Sequence, residues 1–182
     1  MSRVNDLPVT DFFKAFTMNQ YTAYHQIGSF VVSFQHLEAV LTELLVLMAR
    51  ADDEAIRILV NELEFSKRVK TTAVMFAWFV GLQREPDETA KAEFHKLMVE
   101  LGKLGERRNE IVHSKYSLWT NIEGAAGLVR ENSKLRAGKG VRQIEEEDLL
   151  PETFDSDLNR LLVALEALQS FRLKIIDWLY PE

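Results

Sequence analysis

The chain has 182 residues, of which 47% are hydrophobic and 27% charged, with 22 Lys and Arg against 28 Asp and Glu for a net charge of −6. That length allows one domain with a sizeable core, and the acidic balance excludes a diffuse basic coat, so any nucleic-acid contact must come from a local patch. Zero cysteine excludes disulfides and thiolate zinc sites and suits a reducing compartment. The start, Met1-Ser2-Arg3-Val4-Asn5-Asp6, lacks the apolar region of a signal peptide. No apolar run reaches the ~18 residues of a membrane span. The expectation is a soluble cytoplasmic protein with no membrane partner.

Helical periodicity dominates the chain. From about Met18 to Arg50, Ile27, Phe30, Val31, Phe34, Leu37, Leu41, Leu44, Leu45 and Met48 recur at three- and four-residue steps, which predicts one long helix with room for a kink at Gly28. A shorter helix is expected over Asp53–Leu63. The next opens at Ser66, read as its N-cap, and runs to Leu82 with Val69, Met75, Phe76 and Phe79 inward. Pro86-Asp87-Glu88 reads as another start, because proline lacks only a donor that would be unpaired there and acids favour the positive end of the helix dipole. That helix carries Phe94, Leu97, Met98, Leu101, Leu104, Ile111 and Val112 and is expected to end near Tyr116.

From Ser117 to Leu150 the 3.6-residue pattern stops. Gly127-Leu-Val-Arg130 and Gly140-Val-Arg-Gln-Ile144 suggest a hairpin in an otherwise irregular excursion. Arg130, Lys134, Arg136, Lys139 and Arg142 make a basic cluster there, followed by Glu145-Glu146-Glu147-Asp148. Pro151 and Thr153 open a last helix to about Tyr180, striped by Phe154, Leu158, Leu161, Leu165, Leu168, Ile175, Ile176 and Leu179. The predicted fold is all-α: a single domain over residues 1–182, a bundle of four to six helices with the 117–150 excursion before its last helix.

One residue breaks the pattern. At ~100° per residue, Phe94, Leu97, Leu104, Arg108 and Val112 all fall within roughly 60° of Leu101, which places Arg108 in the middle of an apolar stripe. A guanidinium keeps its proton, so its burial requires a carboxylate, carbonyls or a bound anion. The same projection puts Glu38 inside the stripe of the long first helix, and Glu38 is the expected partner of Arg108. Asn109 and His113, four residues apart, share the edge of the stripe with Gly102 and Gly105. Two mid-helix glycines, each costing about 1 kcal/mol relative to alanine, point to a close approach on that flank, with a partner helix as the candidate.

Arg108-Asn109-x-x-x-His113, late on a long helix of an all-α chain, resembles the signature of the HEPN superfamily: an arginine, four to six residues, then histidine, often with a polar residue straight after the arginine. Phe34-x-x-Leu37-Glu38-x-x-Leu41 is similar to the family's long early helix, and the irregular segment before the closing helix also fits. The resemblance implies a metal-independent endoribonuclease, usually a homodimer whose paired motif helices form one cleft. Such enzymes often act as toxins, sometimes beside an antitoxin protein, or in antiviral defence. On this reading Arg108, Asn109 and His113 are catalytic, with Glu38 and Glu110 supporting.

The chemistry is coherent in these residues. RNA carries its own nucleophile, the 2′-hydroxyl, so no cofactor or metal is required. Histidine exchanges a proton near neutral pH, and arginine offsets charge building on a phosphate. Asn109 is placed to orient the histidine or to hold a phosphate oxygen. On one helix Arg108 and His113 diverge by roughly 140°, which favours a site assembled from two chains. Arg107, Lys115, Arg130, Lys134 and Arg136 are the candidate RNA contacts.

A second reading stays open: a non-catalytic HEPN-like helical module that binds a nucleotide, RNA or a protein, with Arg108, Glu38 and His113 structural. Glu110-Ile-Val-His113 also matches the Glu-x-x-His ligand pair of carboxylate-bridged metal bundles. That reading needs a second such pair, and none of His25, His36 or His95 has a glutamate three residues before it.

Overall fold

The structure is a computed structural model that describes residues 9–120, 126–136, 138, 140–149 and 151–181. About 74% of the described residues are helical. Among them there are five helices, α1 (Val9–Ala49), α2 (Asp53–Asn61), α3 (Phe65–Gly81), α4 (Glu88–Val112) and α5 (Pro151–Leu179), and three strands, β1 (Lys115–Thr120), β2 (Ala126–Arg136) and β3 (Val141–Leu149). The chain is therefore predominantly, not purely, α-helical. It divides into two compact units, one made of Met1–Val31 with Glu110–Leu158 and the other of Val32–Asn109 with Asn159–Glu182.

The larger unit is built on the stripes seen in the sequence. Phe34, Leu37, Leu41, Leu44, Leu45 and Met48 of α1 are buried, as are Val69, Phe76 and Phe79 of α3 and Phe94, Met98, Leu101 and Leu104 of α4. Aromatic rings fill its centre: Phe76 stacks on Phe94 with ring centroids 3.9 Å apart, and Phe171 of α5 meets both edge-on at 5.4 and 4.9 Å. Edge-to-face and offset contacts of this kind suit the quadrupoles of the rings. α1 runs through Gly28 without a break.

The helix ends are satisfied locally. Asp52 caps α2 by accepting from the Ala55 N–H at 2.9 Å, and Asp87 accepts from the Ala90 N–H at 2.8 Å at the start of α4. Arg68 donates to the carbonyls of Val60 and Leu63 around the end of α2. Ser66, expected as an N-cap, lies inside α3; Glu64 holds that position, without a side-chain cap.

Two ion pairs tie α5 to α4 and its N-cap in the same unit. Lys174 Nζ lies 2.5 Å from Asp87 Oδ2, and Arg160 donates twice to Glu100 Oε1, at 2.9 and 2.6 Å. The Lys174 hydrogen bond, together with the Ala90 amide, holds the Asp87 carboxyl below its ordinary range. Burial pushes Glu100 upward, but the hydrogen bond and charge of Arg160, helped by Lys103, outweigh it and the net direction is down. Carboxyls depressed on folding contribute stability that is present above their unfolded pKa and lost as pH falls through the folded value. The stability difference between the protein and its Arg160→Met variant is therefore expected to be constant from neutral pH down to about pH 5 and to vanish in stronger acid. Both partners are more than a third exposed, so it amounts to at most about 1 kcal/mol. Urea melts at several pH values measure it.

The smaller unit carries the sheet. β1, β2 and β3 form an antiparallel meander in the order β1-β2-β3. This replaces the irregular excursion expected over 117–150. The proposed hairpin is present as β2–β3, but β1 joins it, because Lys115–Thr120 pairs along Ala126–Glu131. Leu128 and Leu149 are opposite each other and both buried, together with Phe30, Ile111 and Phe154. Gln26 of α1 donates to Asp155 of α5 at 3.1 Å. Val141 and Ile144 of β3 are exposed.

Within Tyr21–Ala49 of α1 an 18-residue window has a mean hydropathy of 1.6, so that by length and composition this helix is apolar enough to cross a bilayer although polar residues such as Glu38 and Glu43 interrupt it. Its window is 44% buried within the protein, and a core helix buried along one stripe has the same composition.

Candidate active site

α4 brings the motif to the surface in its last turns. Leu101, Leu104 and Gly105 are buried, Arg108 is half-buried and Asn109 is exposed. Arg108 follows Leu104 on the same face, so its stem leaves the core while its head reaches outward. Nη1 of Arg108 donates to Asn109 Oδ1 at 3.1 Å, and the guanidinium carbon lies 5.9 Å from the centre of the Phe34 ring. Phe34 in turn packs against Phe65, with centroids 4.7 Å apart. The expected partner, Glu38, is not there: among the described residues no ion pair joins it to Arg108. Phe34, one turn earlier on α1, occupies the place beside the guanidinium. The cation is thus held by a ring face and a neutral amide, and among the described residues no carboxylate neutralises it.

The glycine flank also resolves. A Cβ on Gly105 would sit 2.6 Å from Cδ1 and Cε1 of Phe65, whereas one on Gly102 would meet nothing within 4 Å. The close approach read from the two glycines exists at Gly105, but a phenylalanine of the same chain makes it. Gly105→Ala is expected to destabilise the fold by about 1–2 kcal/mol, overpacking outweighing the gain in helix propensity. Gly102→Ala should add up to about 1 kcal/mol. Denaturant melts at concentrations where the chain is monomeric separate the two.

α4 ends at Val112 and not near Tyr116, so His113 is the first residue beyond the helix and is exposed. The reason is local. Lys115 and Tyr116 already belong to β1, opposite Glu131 and Arg130. The last carbonyls of the helix find side-chain donors: Ser114 Oγ donates to the Glu110 carbonyl, and the Tyr116 hydroxyl to the Ile111 carbonyl at 2.5 Å.

Among the described residues the buried arginine is Arg130, only 5% exposed, on the central strand. Its Nε donates to Glu147 Oε2 at 2.8 Å across the β2–β3 ladder, where the two residues are in register. Nη1 donates to Ser114 Oγ at 3.1 Å, and Nη2 lies 3.9 Å from Glu110 Oε2. Expected as an RNA contact, Arg130 is instead an internal ion-pair centre, because the sheet register points it at a carboxylate and away from solvent. Glu110, expected to support the site, is a member of this cluster. Sequence reasoning missed Ser114, Tyr116 and Glu147 as partners of this cluster: Ser114 carried no signal, Tyr116 only that of a helix end and Glu147 only that of an acidic run.

The other candidates are dispersed. Lys115 is exposed on β1, and Arg107 is half-buried on α4. Lys134 and Arg136 lie in β2 opposite Gln143 and Val141; their side chains, like Lys139, fall outside the described residues. Among the described residues no group of three or more His, Asp or Glu is placed to hold a metal ion. Two cavities of the larger unit, about 310 and 420 Å3, are lined by residues such as Leu97, Glu100 and Arg160, and Glu43, Arg50 and Tyr180. Neither is lined by a motif residue.

Comparison with family models, curated proteins and solved structures finds no significant match.

What the motif offers chemically is therefore read from its own atoms. Arg108 offers a cation oriented by Asn109, and His113 offers an exposed imidazole on a capped turn.

Proposed function

We propose that the chain is a metal-independent endoribonuclease of HEPN type that cleaves RNA by internal transfer. The observation that carries the reading is the state of Arg108: a half-buried side chain whose guanidinium reaches the surface with no carboxylate partner among the described residues, hydrogen-bonded to Asn109. A cation kept in that condition is ready for an oxyanion.

In the proposed reaction, the 2′-oxygen of a ribose attacks the adjacent phosphorus. A His113 imidazole takes the 2′-hydroxyl proton, the bond from phosphorus to the 5′-oxygen breaks, and that oxygen leaves with a proton returned from an imidazolium. The products are a 2′,3′-cyclic phosphate and a 5′-hydroxyl. Arg108 offsets the charge that accumulates on the non-bridging oxygens in the transition state. Asn109 fixes the guanidinium, beside its expected part of orienting the histidine or holding a phosphate oxygen. The proposal includes a cytoplasmic homodimer in a helical-bundle arrangement, with RNA bound in a cleft that two copies of the motif complete and an antitoxin as the class of regulating partner. Open space beside Gly102 is consistent with approach of a second motif helix.

The test is incubation of varied RNAs with purified protein in EDTA, alongside Arg108→Ala and His113→Ala. Cleavage by the unsubstituted protein alone supports the enzyme.

One observation favours the second reading, a non-catalytic HEPN-like binding module. Arg108 is already braced by Phe34 and Asn109, as a purely structural arginine would be. On that reading RNA is left intact and Arg108→Ala lowers stability instead of activity.

A further inference from the structure

We propose that Arg130 is the positioning residue for His113, acting through Ser114; the role given to His113 rests on the ribonuclease reading above, while the geometry does not. His113 lies between Val112 and Ser114, at the point where α4 turns into β1. Such a turn is ordinarily among the looser parts of a chain, because the last carbonyls of a helix lack partners. Here they are taken. Tyr116 serves the Ile111 carbonyl and Ser114 serves the Glu110 carbonyl.

The direction of the bonds matters. The single proton of the Ser114 hydroxyl is committed to the Glu110 carbonyl, so its oxygen can only accept from any further partner. Arg130 Nη1 is that donor, at 3.1 Å. Arg130 is immobilised in turn by Glu147 at 2.8 Å, and its own side chain is only 6% exposed. The chain of bonds runs Glu147, Arg130, Ser114, Glu110 carbonyl, and every link lies in one compact unit. The buried guanidinium therefore anchors the residue after His113 to the sheet and, through it, the helix end before His113. A lysine cannot replace it, since one ammonium lacks the planar fork that reaches Glu147 and Ser114 together. An imidazole that must meet a 2′-hydroxyl gains from such a fixed turn, because small misplacements cost rate.

Three variants test this: Ser114→Ala, Arg130→Lys, and the pair Arg130→Met with Glu147→Gln, which removes the cation and one carboxylate together and so keeps a foldable variant in hand. Two readouts are taken on the full chain, steady-state cleavage of RNA and the imidazole NMR signals of His113 with amide exchange over residues 111–116. In each folded variant kcat is expected to fall about 10- to 100-fold with KM little changed, while His113 becomes mobile and exchange at 111–116 accelerates. Folded variants with unchanged kcat and unchanged His113 signals would overturn the proposal. If the unsubstituted protein cleaves no RNA but Ser114→Ala still loosens His113, the positioning stands and the ribonuclease reading falls.

Discussion

Arg130→Met is expected to destabilise the protein by about 3 kcal/mol, the low end of what breaking a buried ion pair costs. The guanidinium is nearly fully buried, while Glu147 and Glu110 are about 29% and 30% exposed, so the carboxylates that lose it regain part of their hydration. Methionine fills most of the volume, so the loss comes from the missing attraction between the charges and from a Ser114 hydroxyl deprived of its donor. Neutralising one of those charges with Glu147→Gln in the same chain should recover part of the loss, because a neutral glutamine costs less than a carboxylate to keep beside methionine. Urea unfolding of the two variants and the parent measures both effects. Equal stability of Arg130→Met and parent would mean that the strands open enough to hydrate both glutamates.

The largest expected effect on activity is at His113. His113→Ala should lower RNA cleavage by about 10²- to 10⁴-fold, the contribution of a positioned acid–base group, with stability little changed because the side chain is exposed. Arg108→Ala should cost about 10²- to 10³-fold in kcat, as for loss of an oxyanion donor. Arg108→Lys should recover only part of this, because a lysine loses the planar contact with Asn109 and the Phe34 ring. Residues that act on one transition state are not additive, so the double variant should be little worse than His113→Ala alone. A fall in kcat with KM held identifies the interaction as one made in the transition state.

Much of the helical framework was legible because its signal is local. Phe34, Leu37 and Leu41 of α1 and Phe94, Leu101 and Leu104 of α4 recur at helical spacing, and each of them is buried. Val112, assigned to the same stripe of α4, is exposed, and it is the residue on which the helix ends.

The rest depended on pairings between distant parts of the chain. The helical projection placed both Arg108 and Glu38 in apolar stripes, but a stripe does not say which residue of the facing helix lies opposite, and Phe34 takes the place assigned to Glu38. Arg130 looked like one more member of a basic cluster, and only its register against Glu147 makes it a buried ion-pair centre. β1 was missed for the same reason, since its pairing with β2 is not visible in Lys115–Thr120 alone. The end of α4 was placed too late because Tyr116, read as a last helical residue, supplies the hydroxyl that closes the helix from the strand.

The central claim is that Arg108 and His113 cut RNA through its own 2′-hydroxyl. Its most direct test is the chemistry of the ends produced when the purified protein is incubated with RNA in EDTA. Fragments ending in 2′,3′-cyclic phosphate with 5′-hydroxyl partners are expected, and they should be absent with His113→Ala. Intact RNA across varied substrates, or identical cleavage by His113→Ala, would contradict the claim.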